Sequence, residues 1–160
     1  MPADDRRVLF VLTSHDALGD SGTPTGFHFE ELAAPYWVFA DAGYSVDLAS
    51  IRGGRPPHDP SSLADDPAER PGSVARFLDD AEAAGKLDAT VAVGDADPAP
   101  YTAVFLVGGH GTMWDFPDNA ELGGLIRAVR EAGGTVGAVC HGPAGLIAAK
   151  ADDGASLVAG

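Results

Sequence analysis

Along this chain the apolar positions switch between two periods, and each switch marks an element. Arg7-Val8-Leu9-Phe10-Val11-Leu12-Thr13 is a continuous β-rich apolar run, the pattern of a strand buried on both faces. Residues 14–25 are rich in Gly, Ser, Asp and Thr and read as a loop. From Phe27 to Ala42 the apolar residues recur at helical spacing, Gly43 supplies a stop, and Pro35 predicts a break or kink inside the helix. Tyr44 to Ala49 alternates as a second strand. Ile51 to Pro71 is a long polar segment, of a length that in a compact domain marks a functional loop or an insertion. Ser73 to Ala84 predicts a helix with Ser73 as N-cap, and Thr90-Val91-Ala92-Val93 a short strand. Ala103 to Val107 is the next buried strand and ends in Gly108-Gly109-His110-Gly111. Ala120 to Ala132 is amphipathic and closed by Gly133-Gly134; Thr135 to Val139 predicts another strand and Gly142 to Lys150 another helix. Strands alternating with helices predict a doubly wound α/β sandwich that binds ligands at the strand carboxyl ends.

Composition narrows the function classes. The 160 residues suit one domain, and no apolar run is long enough to span a bilayer. The opening Met1-Pro2-Ala3-Asp4-Asp5-Arg6-Arg7 lacks the pattern of a secretory signal, so a soluble cytoplasmic protein is expected. A net charge of −14 repels phosphate backbones and anionic lipid, which argues against nucleic-acid and membrane partners. That acidity reads as a solvated surface or as adaptation to high salt. A single cysteine, Cys140, forms neither an internal disulfide nor a zinc site by itself. No His, Cys, Asp and Glu cluster has metal-ligand spacing, so neither metal nor cofactor is expected.

Ala138-Val139-Cys140-His141-Gly142 places that cysteine between a strand and a helix, as a cysteine counterpart of the G-x-S-x-G nucleophile elbow. Small neighbours fit the crowded turn, and the following helix would aim its dipole at the sulfur and favour thiolate. The alternative is a buried cysteine that merely ends a strand. His141 either pairs with the thiol or sits on the surface; its backbone N–H would in either case face an oxyanion. Gly108, Gly109 and His110 end a neighbouring strand on the same side, where glycines let the backbone approach a ligand, or else form an ordinary tight turn. Glu30 and Glu31 are first-turn acids that a helix dipole favours, whether or not they reach a site. His28 and Trp114 are candidates for a pocket wall, and His58 is expected to be exposed in the long loop.

Taken together, Thr25-Gly26-Phe27, Glu31, Ala34-Pro35-Tyr36, Gly108-Gly109-His110-Gly111-Thr112 and Ala138-Val139-Cys140-His141-Gly142-Pro143 resemble the DJ-1/PfpI superfamily, and within it the Hsp31-like branch. The resemblance implies a flavodoxin-like three-layer sandwich with a mostly parallel sheet. It also implies a site of nucleophilic Cys140, His141 and a helix-borne acid that falls on Glu31 rather than Glu30, with a carboxyl that tunes the thiol. Members of this branch are described as glutathione-independent glyoxalases and as stress chaperones. The expected activity is therefore a glyoxalase III-type lyase reaction on methylglyoxal or a related 2-oxoaldehyde. Cys140 would form a hemithioacetal, Glu31 or His141 would move the proton, and the Gly109 and His141 N–H groups would hold the oxyanion. The alternatives are a chaperone or redox sensor of the same family and, ranked last, a glutamine amidotransferase-like hydrolase, since no histidine follows His141.

The branch continues well past the elbow helix, often with a third acid behind the histidine, whereas this sequence stops at Gly160 where Ser156-Leu157-Val158-Ala159 looks like a further element. Residues 1–160 are thus expected to form a single domain without the C-terminal part of the usual fold. The sheet edge left open would invite a homodimer.

Overall fold

A computed structural model describes residues 6–159; the predicted leader-free start therefore lies largely outside the described residues. Five parallel strands form one sheet in the order β3-β2-β1-β4-β5: β1 Arg7–Leu12, β2 Ser45–Ser50, β3 Val91–Ala92, β4 Ala103–Leu106 and β5 Thr135–Ala138. The apolar run of β1 reflects its central place, with every residue from Val8 to Leu12 fully buried. Val8, Phe10 and Leu12 face one helical layer, α1 (Phe29–Asp41), α2 (Gly72–Asp79) and α3 (Ala81–Asp88). Leu9 and Val11 face the helix that follows the single turn α4 (Thr112–Asp115), α5 (Ala120–Glu131), through Leu122, Ile126 and Val129. Alternation along one strand thus fills both cores of a three-layer sandwich. Phe10 anchors the first core, edge-on to Phe39 at 5.8 Å and tilted against Phe105 at 4.8 Å.

The expected fold class holds, and four local expectations are corrected. α1 runs unbroken through Pro35. The ring removes only the bond its N–H would give to the Glu31 carbonyl, and burial of Leu32, Ala33 and Tyr36 keeps the helix on the sheet. The single helix expected from Ser73 is two, parted at Asp80, whose extended backbone ends α2 and whose carboxylate accepts from Ala83 N–H at 2.9 Å to start α3. An N-cap acid offers the backbone a way out of the helix, and the break turns Phe77, Ala83 and Leu87 all into the core. After β5 the chain makes only a short 3-10 helix, Gly142–Ile147. The further element expected at residues 156–159 does not form there: Ser156 bridges singly to Lys150, and Leu157 packs onto the α5 core.

β1 pairs with β2 on one side and β4 on the other, so the chain reverses its order of filling the sheet between β1 and β4. Ligands of such sheets bind outside the carboxyl ends near that reversal. Thr13, Gly108 and Cys140 stand just past the ends of β1, β4 and β5 there.

Candidate active site

One short segment, Thr25 to His28, assembles this end of the molecule. His28 N–H donates to the Gly108 carbonyl at 3.0 Å, and Phe27 N–H to the Pro57 carbonyl at 3.0 Å. Gly26 packs so closely on Pro57 and His58 that a Cβ there has no room. Gly109 has φ +122°, and a side chain on it would collide with Gly26, Phe27 and His28. The start of α1 is thereby pressed onto the turn after β4. One turn into that helix, Glu31 reaches Gly108, where its Oε2 is buried without a hydrogen bond of normal geometry. Glu30 is exposed on the far side.

Cys140 is the one non-glycine residue with positive φ among the described residues, at 54°. A side chain in that region costs about 1–3 kcal/mol, which the surroundings must supply. Here they do so by contact: Gly142 N–H donates to the Val139 carbonyl at 2.8 Å, Gly142 lies against Leu106, and the buried Thr112 hydroxyl donates to the carbonyls of His141 and Gly109. The thiol that results is exposed, with Glu31 on one side and His141 Nδ1 3.1 Å from Sγ on the other. The backbone N–H groups of His141 and Gly109 lie near enough to favour charge on the sulfur.

This arrangement corrects the electrostatic expectation. Although the residue is exposed overall, partial desolvation of its sulfur comes first, and then the charge and hydrogen bonding of Glu31, in pushing the Cys140 thiol above its ordinary value, while the His141 and Gly109 N–H groups pull it down more weakly. The helix that was to favour thiolate is a six-residue 3-10 turn with Pro143 near its start, too short for a large dipole. The resting thiol therefore keeps its proton, within reach of the buried Glu31 oxygen that can take it.

The structure also gives His110 surroundings that the sequence reading missed. Its ring is exposed and lies against the His141 ring, 4.8 Å between centroids, with its Nδ1 3.8 Å from Asp59 Oδ2. Asp59 was not singled out and Thr112 only as the last residue of the glycine motif, although Asp59-Pro60 in the long loop carries the signature of a turn start. His58 is not the exposed residue expected: it packs edge-on to Phe29 and Phe27, and burial, with Arg55 nearby, lowers its basicity. Trp114 stacks on His15 at 5.0 Å and 8°. His28 is half-buried, with a buried and unpartnered Nδ1. No group of three or more His, Cys, Asp or Glu among the described residues is arranged to hold a metal ion. No described helix is long and apolar enough to cross a membrane.

Known proteins carry the same framework. The family model described as DJ-1/PfpI family matches residues 23–159. A Schizosaccharomyces pombe protein named glutathione-independent glyoxalase hsp3101 is 32% identical over 99% of this chain and 66% of its own length. The crystal structure of glyoxalase III from Candida albicans superposes with a TM-score of 0.85 at 31% identity, over 97% of this chain and 65% of that one. That of Francisella tularensis Rapid Encystment Protein 24 KDa gives 0.88 at 36% identity, over 96% and 66%. This chain therefore spans a little under two thirds of the length of these relatives. A match that runs through both glycine-lined turns and the strained cysteine, with the same fold beneath them, makes this chain a member of the DJ-1/PfpI family.

Proposed function

We propose that the chain acts as a glutathione-independent glyoxalase on methylglyoxal or a related 2-oxoaldehyde, with Cys140 as nucleophile. The observation that carries the reading is the exposed Cys140 thiol at φ 54°, flanked by the Glu31 carboxyl and faced by two backbone N–H groups. The names of its relatives agree with it. Glu31 takes the thiol proton as sulfur adds to the aldehyde carbon, and the Gly109 and His141 N–H groups hold the oxygen that becomes charged. Protonation of that oxygen gives a hemithioacetal. A base, Glu31 or the His141 imidazole, then removes the proton from the sulfur-bearing carbon while the neighbouring ketone oxygen is protonated, forming an enediol. Return of a proton to the second carbon leaves a thioester of the 2-hydroxy acid, and water releases the acid and restores the thiol. One carbon is oxidised and its neighbour reduced, so no external electron acceptor enters.

The test is lactate formation from methylglyoxal without glutathione. The chain is expected to turn over, and Cys140→Ala to lose at least about 10³-fold in kcat/KM. Lactate formed equally by Cys140→Ala would remove the proposal. The exposure of the thiol gives a second reading, oxidative sensing at Cys140, some support. That reading expects a sulfenic acid to form under mild peroxide in a chain without glyoxalase turnover.

A further inference from the structure

The two backbone N–H groups that favour charge at the sulfur come from turns on different strands, Gly109 after β4 and His141 after β5. Two donors serve one oxyanion only when both reach the position its oxygen takes, so their spacing matters as much as their presence. Thr112 links them. It is fully buried, and its hydroxyl lies 2.8 Å from the Gly109 carbonyl and 3.1 Å from the His141 carbonyl. A hydroxyl has a single proton to give, and here both carbonyls share it. The Thr112 N–H also donates to the Gly109 carbonyl, at 3.2 Å, while the His28 N–H holds the Gly108 carbonyl at 3.0 Å. The peptide planes before and after Gly109 are therefore both held, and the plane after His141 is held by the same Thr112 side chain.

Thr112 is anchored in turn by the other end of its own helix. Asp115 closes the single turn of α4, and its Oδ1 accepts from the Thr13 hydroxyl at 2.8 Å. Its Oδ2 accepts from the Ser14 N–H at 2.7 Å, so both oxygens grip the turn after β1. That turn is itself held: Thr13 Oγ1 accepts from the His15 N–H at 3.0 Å, and Ser14 Oγ from the Arg52 N–H at 2.9 Å, past the end of β2. A Cβ on Gly111 would collide with His15 and Thr13, so α4 sits directly on the turn. Arg52, Ser14, Asp115, Thr112 and His141 thus form one line of hydrogen bonds and helix across the strand ends, in the order β2-β1-β4-β5 that the strands have in the sheet.

We propose that Thr112, anchored through α4 by Asp115, is the positioning residue of the oxyanion site: its one hydroxyl sets the distance between the Gly109 and His141 N–H groups, so that both reach the same developing charge. The assignment rests on the proposed attack of Cys140 on a carbonyl carbon, and on none of the proton transfers that follow it. Loss of the hydroxyl uncouples the turn after β5 from the turn after β4 and leaves the thiol and Glu31 in place.

The test compares two reactions of Cys140 in the full chain at neutral pH. Para-nitrophenyl acetate acetylates the thiolate through a tetrahedral intermediate with a charged oxygen, and the nitrophenolate that leaves is read by its absorbance. Iodoacetamide alkylates the same thiolate by displacing iodide, with no oxyanion, and is read by mass spectrometry. Cys140→Ala gives the background of both. Thr112→Val keeps the shape of the side chain and is expected to slow acetylation about tenfold or more relative to alkylation. Thr112→Ser, which restores the hydroxyl, is expected to recover the ratio to within about threefold. Asp115→Ala loosens the far end of α4 and is expected to lower the ratio about threefold or more, which keeps the test decisive should Thr112→Val not fold. The double variant is expected to be no worse than Thr112→Val, because both changes cut the same line. Where methylglyoxal is turned over, kcat falls with the ratio while KM stays within about twofold. A wild-type ratio in either folded variant, a loss that Thr112→Ser does not recover, or wild-type acetylation no faster than the Cys140→Ala background overturns the proposal. A chain that forms no lactate yet shows the selective loss removes the glyoxalase reading and leaves Thr112 in place. Lactate formed with an unchanged ratio in the variants does the reverse.

Discussion

At the scale of single residues, the proton between Cys140 and Glu31 governs the site. Burial and the Glu31 charge raise the thiol, so thiolate is scarce at neutral pH and grows about tenfold per pH unit until the raised value is passed. Glu31→Gln removes both contributions of that carboxylate and leaves the N–H groups of His141 and Gly109 pulling downward. The rise in alkylation should therefore shift to lower pH, with Cys140 reacting faster in Glu31→Gln than in the wild type between pH 7 and 8. Turnover of methylglyoxal should move the opposite way, falling about 10²-fold or more, since in the proposed mechanism Glu31 takes the thiol proton. Paired profiles of alkylation and turnover against pH check both directions, and equal alkylation in the two proteins would show that Glu31 does not hold the thiol proton. Gly108 is the hinge of this arrangement, because a side chain there would occupy the space of the Glu31 carboxyl and the Cys140 Cβ.

Helix starts decide the geometry at the next scale. Asp80 and Asn119 each spend a side-chain oxygen on an otherwise unpaired N–H, of Ala83 and Leu122 respectively, both at 2.9 Å. Asn119 matters more to the core, since α5 carries Leu122, Ile126 and Val129 onto the second face of β1. Asn119→Ala should cost about 1 kcal/mol in urea unfolding, with an unchanged denaturant slope and no effect on Cys140 alkylation. α1 starts differently. Its N-cap residue His28 offers no side-chain bond; instead Ser62 Oγ from the long loop accepts from Phe29 N–H at 3.0 Å, and the His28 N–H on the Gly108 carbonyl fixes the helix start on the turn after β4. The element that carries Glu31 is therefore tied to the turn it must serve rather than to its own capping residue.

Over the whole molecule, a net charge of −14 on 160 residues makes self-repulsion a general term. Several of its basic groups are already paired, Arg7 with Asp47, Arg76 with Asp41 and Arg127 with Asp152. Raising salt from about 0.1 M to about 1 M shortens the screening length from roughly 10 Å to roughly 3 Å, which removes long-range repulsion faster than it weakens close pairs. The thermal midpoint should rise with sodium chloride over that range, as calorimetry can record. A midpoint that falls would mean that the ion pairs outweigh the repulsion. β5 stands at the edge of the sheet, and its residues Thr135 and Val136 line an open groove of about 370 Å³ with Ile126, Leu146, Leu157 and Val158.

The sequence by itself determined the order of the strands, the helices α1 and α5 and the turns that meet at the carboxyl end of the sheet, because burial imposes a period on strands and long helices, whereas the break at Asp80 and the short 3-10 turn after Cys140 left no such period. The glycines of Gly108-Gly109 and the small neighbours of Cys140 were equally legible, since close backbone approach leaves few other residues possible. Tertiary structure alone decided three matters. It decided that Pro35 does not break α1, because packing on the sheet outweighs one missing hydrogen bond. It decided the protonation of Cys140, because desolvation and Glu31 act through space and no local spacing reports them. And it brought Asp59 to His110 across 51 positions of sequence, a contact made by the fold of a loop whose own pattern showed only a turn.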